Sequence, residues 1–188
     1  MRLETHLATK GCSLIHYCIT TAPPRALVII KFMKTEFRRN NPLNIRYNER
    51  NQWIGQIGES RGFCVFDTAE HGFRAAFLLL KNYGRKGFNT VAQIVSRWSP
   101  YVENPTASYI EFVAKRMIML GYEVYDDDLN FQRLDMGNDE VVKDLLYCMC
   151  LFESGKRPQL KEVESALRRA GCLCCDDEPL GIGCVPII

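Results

Sequence analysis

Between Asp67 and Gly171 the apolar residues recur at helical spacing in five blocks, each bounded by a cap or a breaker. That pattern restricts the chain to a mainly helical body. Asp67-Thr68-Ala69-Glu70 reads as a capping box, with a carboxylate at the cap and Glu three residues on. Phe73, Ala76, Phe77 and Leu80 then share one face, and Gly84 and Gly87 end the block. Thr90 caps the next, with Val91, Ile94, Val95 and Trp98 inward, and Pro100 stops it. A third starts at Thr106 after Pro105, carries Tyr109, Phe112, Val113 and Met117, and closes at Gly121. A fourth spans about 139–153 with Val142, Leu145, Leu146 and Met149 inward. A fifth spans about 160–170 with Val163, Ala166, Leu167 and Ala170 inward and Gly171 as its C′ residue.

The segment before the helices has a different grammar. Residues 34–50 are basic (Lys34, Arg38, Arg39, Arg46, Arg50) and rich in turn formers (Asn40, Asn41, Pro42, Asn44, Asn48). They read as a solvated basic stretch. Two apolar runs, Trp53–Ile57 and Phe63–Phe66, flank the Gly-containing segment 58–62 and predict a β-hairpin. The fold class expected is therefore α+β, mainly α-helical, with one small hairpin.

The ends of the chain differ from this body. The 188 residues include nine cysteines, an odd number that cannot all pair internally. Two lie before residue 33 and four after residue 171, so only Cys64, Cys148 and Cys150 belong to the body. Three thiols in such a length are ordinary for a protein made in a reducing compartment. Residues 1–32 have weak periodicity, and Arg2, Lys10, Arg25 and Lys31 against Glu4 give them +3. Residues 172–188 carry Asp176, Asp177 and Glu178 without a base, hence −3. We expect a poorly ordered N-terminal extension over 1–32, with Met33 a second possible translation start. A helical domain follows over 33–171, then a disordered Cys-rich acidic tail over 172–188.

Composition excludes several classes. With 24 basic and 22 acidic residues the net charge is +2, which gives no bulk case for nucleic-acid binding. No apolar run approaches the ~20 residues a spanning helix needs. No export signal is expected at the start, because Glu4 and His6 interrupt the basic region and Pro23-Pro24 break the apolar one. Synthesis in the bacterial cytoplasm is expected.

Few residues suggest chemistry. Cys172, Cys174, Cys175 and Cys184 lack the C-x₂₋₄-C pairs of structural zinc sites, so no metal is expected. Cys148 and Cys150 are two apart on a helix and should face different ways. A Cys64/His71 dyad is outweighed by a buried apolar Cys64. Gly55-Gln56-Ile57-Gly58 lacks the spacing and the Lys-Ser/Thr of a phosphate loop. No cofactor is implied. Carboxylates near the hairpin are Glu36, Glu49, Glu59 and Asp67. A glycosidase needs a protonated acid at the scissile oxygen, usually with a second carboxylate.

An ordered set of motifs adds a resemblance. It runs from Arg39-Asn40-Asn41-Pro42-Leu43-Asn44-Ile45-Arg46 and Trp53-Ile54-Gly55-Gln56 to Gly62-Phe63-Cys64-Val65-Phe66-Asp67-Thr68 and Gly72-Phe73-Arg74-Ala75. Asn89-Thr90-Val91, Ile94 to Pro100, Glu103-Asn104, Thr106 and Tyr109-Ile110 follow. The string resembles a family of small phage and prophage virion structural proteins, and Phe152-Glu153-Ser154-Gly155 resembles that family's His-Glu-Asn-Gly segment. A more distant resemblance is to lysozyme-like glucosaminidases that cut peptidoglycan, through Asn41–Ile45, Trp53–Gly55 and Phe63–Thr68.

The resemblance implies a lysozyme-like body in which the hairpin floors a saccharide groove. Asn41, Asn44, Arg46, Trp53, Gln56 and Phe66 are then its glycan- or partner-binding residues. In those glucosaminidases the acid ends a helix well upstream of the Asn-containing segment. Here only Glu4 and Glu36 lie upstream, and Glu36 is five residues from Asn41. The leading expectation is thus a prophage-encoded virion protein that binds a virion partner or cell-wall glycan without cutting it. The alternative is a peptidoglycan glycosidase with Glu36 as acid and Asp67 as supporting carboxylate. A nucleic-acid role through residues 34–50 ranks third.

Overall fold

A computed structural model describes residues 40–101, 105–153 and 158–173. The expectations for residues 1–32, for Glu36 and for the cysteines beyond Cys172 lie outside these residues. Within them the chain runs β1 (Gln56–Ser60), β2 (Phe63–Phe66), α1 (Ala69–Arg85), α2 (Val91–Trp98), α3 (Thr106–Met119), α4 (Asp139–Glu153) and α5 (Leu160–Arg169). The mainly helical α+β class is as expected.

The hairpin is shifted towards the C-terminus relative to expectation. β1 begins at Gln56, and Gly58, Glu59 and Ser60 pair with Val65, Cys64 and Phe63. The reason is the turn. Arg61 and Gly62 both have positive φ, 55° and 82°. A two-residue turn of that hand matches strand twist and draws the ladder up to Ser60. A bulge between Gln56 and Gly58 ends the regular pairing. β2 has a neighbour on its other edge too: Cys64 N–H donates to Ile45 O (2.9 Å) and Tyr47 N–H to Gly62 O (2.8 Å).

Local signals set the helix ends. Thr68, not Asp67, caps α1: it is extended (φ −131°, ψ 157°) and its hydroxyl accepts from His71 N. Thr90 and Gln93 form a reciprocal capping box at α2. Gln159 and Glu162 form another at α5. Gly87, Gly121 and Gly171 follow α1, α3 and α5 with positive φ, a conformation that glycine adopts with the least backbone strain.

α4 is the central helix, packed against α1, α3 and α5. Val142, Leu145, Leu146 and Met149 are fully buried, at roughly 1.5–3 kcal/mol of transfer energy each. Because neighbours cover it on several sides, Cys148 and Cys150 are both buried although they point to different faces. Even Lys143 is buried, paired with Glu140 and Asp144. Asp144 also accepts the Tyr122 hydroxyl at 2.7 Å.

Burial first, and the Asp144 charge second, push the Cys148 thiol up to about 12. Thiol titration of the native protein near pH 8 should therefore leave Cys64, Cys148 and Cys150 unlabelled on the time scale that labels them in denaturant. Labelling of Cys148 as fast in native protein as in denaturant would contradict the central position of α4.

Candidate functional site

Residues 40–46 form a wedge between the hairpin and the helices. Asn40 and Asn44 both adopt φ 52°, a conformation asparagine enters more readily than most residues. The Asn40 amide donates to Phe66 O (3.1 Å) and Asp67 O (2.8 Å). Asn41 is fully buried; its amide donates to Ile45 O (3.0 Å) and Cys64 O (2.9 Å), and its Oδ1 accepts from Ile45 N (2.8 Å). Trp98 Nε1 donates to Leu43 O at 3.2 Å. On α1, a Cβ added at Gly72 would lie 2.0 Å from Asn40 O, so the helix backbone meets the wedge directly. Of the expected solvated basic stretch, residues 34–39 lie outside the described residues; Asn41, Pro42, Leu43 and Ile45 are buried, while residues 46–50, with Arg46 and Arg50, are exposed.

Asn44 closes the wedge onto α4. Its amide donates to Glu153 Oε2 at 2.9 Å across 109 positions of sequence. Glu153 is the last residue of α4. Behind it Phe152 stacks on Tyr109 (4.0 Å between centroids, 9° between planes), with Phe112 tilted against Phe152 at 5.4 Å. The Tyr109 phenol stays neutral well above its ordinary range, through complete burial first and the adjacent Glu153 carboxylate second.

The hairpin supplies the other side. Gly55 (φ 74°) lies on the Asp67–His71 pair: a Cβ there would sit 2.1 Å from His71 Nδ1 and 2.6 Å from Asp67 Oδ1. Asp67 Oδ1 meets His71 Nδ1 at 2.7 Å and accepts Thr68 N–H at 2.6 Å. Asp67 is therefore not a helix cap; its carboxylate turns back to the histidine. The His71 hydrogen bond is the main cause that lowers the Asp67 carboxyl below its ordinary range.

The residues expected to bind fall into two groups. Asn41 and Phe66 are buried, Asn41 fixing the wedge and Phe66 packing in the core at 1 % exposure. Asn44, Arg46, Trp53 and Gln56 stand at or near the surface, Arg46 with its guanidinium 5.6 Å above the Phe63 ring. Four buried side-chain polar atoms among the described residues lack a hydrogen-bond partner: Asn44 Oδ1, Trp53 Nε1, Gln56 Oε1 and Asp144 Oδ1. Three of the four belong to this group. Glu153, which Asn44 contacts, is not among the residues the sequence singled out. Its signal was present, a carboxylate ending a predicted helix inside a matched motif.

Elsewhere the chemistry is closed. Cys64 is buried with Sγ 3.6 Å from Arg46 O, and burial pushes its thiol up. A cleft of about 480 Å³ lies between α1 and residues 133–137. Lys81 at its edge is engaged by Gly137 O (2.6 Å) and Asp139 (2.7 Å). In the acidic patch, Asp126 accepts the N–H groups of Asp128 and Asn130 and so folds its own loop. Among the described residues no three His, Cys, Asp or Glu side chains gather as metal ligands, and no helix is long and apolar enough to cross a membrane.

No protein-family model matches the chain. Protein P5 of Pseudoalteromonas phage PM2 is 32 % identical over 126 residues, 64 % of this chain and 71 % of P5. The chain belongs to the P5 family. The expected kinship with phage proteins therefore stands at that level.

Two measurements check this geometry. Asn41→Ala removes two donors and an acceptor from buried backbone groups, and should cost about 2–4 kcal/mol in denaturant unfolding. In an NMR titration the Asp67 midpoint should lie below about 3.9 and rise in His71→Ala. The stability Asp67 contributes is present above that ordinary value and lost as pH falls through the lowered midpoint. The pair is exposed, so the loss is small.

Proposed function

We propose that this P5-family protein is a prophage-encoded component of the virion whose lysozyme-like body binds the glycan strands of peptidoglycan. Kinship with a phage protein supports the first half. The observation that carries the second is the set of three unpartnered polar atoms at Asn44, Trp53 and Gln56. Leaving such atoms unsatisfied costs about 1–3 kcal/mol each, a cost relieved by a ligand that draws these side chains outward. Two amide oxygens accept and one indole N–H donates, beside the flat apolar face of Trp53. That combination suits a neutral sugar bearing hydroxyl and N-acetyl groups. Arg46 at the rim can meet a carboxylate of the same polymer or an acidic patch on another virion protein. Nucleic acid fits less well, given the near-balanced charge.

Pelleting with insoluble peptidoglycan tests this reading. The protein should co-sediment, and Trp53→Ala should weaken binding about tenfold, the equivalent of 1.4 kcal/mol. Equal retention of the variant, or no retention of either protein, would remove the groove from the account.

A further inference from the structure

The cleft of about 480 Å³ between α1 and residues 133–137 lies towards the opposite end of α1 from the wedge. Gly84 lets its two walls approach, because a Cβ there would lie 2.3 Å from Met136 Cβ. Leu134 and Met136 are buried, and the charged side chains around them are Lys81, Arg85, Arg133 and Asp135. These charges are not equivalent. Lys81 is engaged by Gly137 O and Asp139, and Asp135 Oδ1 accepts Gly137 N–H at 3.0 Å. Arg85 and Arg133 are exposed and make no hydrogen bond or ion pair among the described residues. Arg85 opposes the partial negative charge at the end of α1. Arg133 lies outside every helix and has no such task.

The chain itself carries a segment that matches this charge. Residues 172–188 include Asp176, Asp177 and Glu178 and no base. The described chain ends just before them, at the buried Leu173. Burial first, with the Asp139 carboxylate adding to it, pushes the Cys172 thiol up to about 11. Cys172 is therefore near Asp139, the ion-pair partner of Lys81 at the edge of the cleft. At ~3.3–3.6 Å per residue, Asp176 can stand up to about 10 Å from Leu173 and Glu178 up to about 17 Å. The stretch of α1 from Lys81 to Arg85 rises only about 6 Å.

We propose that this cleft is a binding site for an acidic peptide segment, and that the segment it takes is Asp176-Asp177-Glu178 of the same chain. The carboxylates pair with the guanidinium forks of Arg85 and Arg133. One exposed pair of this kind is weak and screened by salt. The tether changes the balance, because a short linker holds the acids at about millimolar effective concentration without the cost of a second molecule. Asp135 in the same wall opposes a denser polyanion, so the cleft suits a short run of carboxylates better than nucleic acid. The proposal is independent of the glycan reading, which concerns the wedge.

The test compares backbone amide NMR shifts of the full chain, kept reduced, with those of Asp176→Asn/Asp177→Asn/Glu178→Gln. Neutralising the acids should move the amides of residues 84–89 and 133–137, nearly fifty or more positions earlier in sequence. Wild type in about 1 M salt, where the screening length is ~3 Å, should move the same amides in the same direction. In Arg85→Gln/Arg133→Gln the response to neutralising the acids should fall by at least half. Thermal unfolding of this variant should match wild type, since both arginines are exposed. If loss of Arg85 destabilises α1, Arg133→Gln alone carries the comparison.

Shift changes confined to residues adjoining 173 overturn the proposal, as does a response that persists undiminished without the two arginines. Shifts at 84–89 and 133–137 that ignore salt overturn the ion pairing. Shifts there that vanish on dilution of wild type assign the acids to a second copy and overturn the same-chain contact.

Discussion

Asn41 is the point on which the rest of the structure turns. Its amide spans Ile45 O and Cys64 O while its oxygen accepts Ile45 N–H, all in full burial. One neutral side chain thereby ties an irregular loop to the hairpin and satisfies backbone groups that would otherwise be buried unpaired. With that tie made, Leu43 and Ile45 can enter the core, Asn40 can reach the end of β2, and Leu43 O is presented to Trp98. A hydrophobic residue at position 41 would fill the space but take the partner from Ile45 N–H and Cys64 O, and one of two donors from Ile45 O. The hairpin alone, two short strands, is marginal in water. It persists because the wedge pairs with the free edge of β2 and α1 packs against its end.

The helices were legible because their signals are local. Caps at Thr90 and Gln159, glycines after α1, α3 and α5, and stripes of Phe, Leu and Val each act within a few residues. The hairpin register was not, because the conformations of Arg61 and Gly62 decide it. Asp67 shows the same limit. A capping box and a carboxylate facing a histidine share one sequence pattern, and only the extended backbone at Thr68 separates them.

The site was half legible. Short motifs single out Asn44, Trp53 and Gln56 as candidates, and the structure leaves polar atoms of each unsatisfied. Glu153 escaped because its contact with Asn44 is non-local. A search for an acid upstream of the wedge follows the order of the chain. The fold instead brings the end of α4, 109 positions later, to the same place. Sequence order and spatial order part company wherever a late helix packs against an early loop.

That arrangement has a consequence for how the surface tolerates change. The wedge serves both the core and the site, through alternate residues: Asn41, Leu43 and Ile45 inward, Asn44 and Arg46 outward. Replacing an outward residue changes the surface and leaves the core intact. Replacing an inward one moves the Asn44 amide relative to Glu153. A shift near 1 Å is enough to lengthen that hydrogen bond beyond use even when the protein stays folded. The inward residues therefore set where the Asn44 amide stands against the end of α4, and the rigidity of the loop decides that contact.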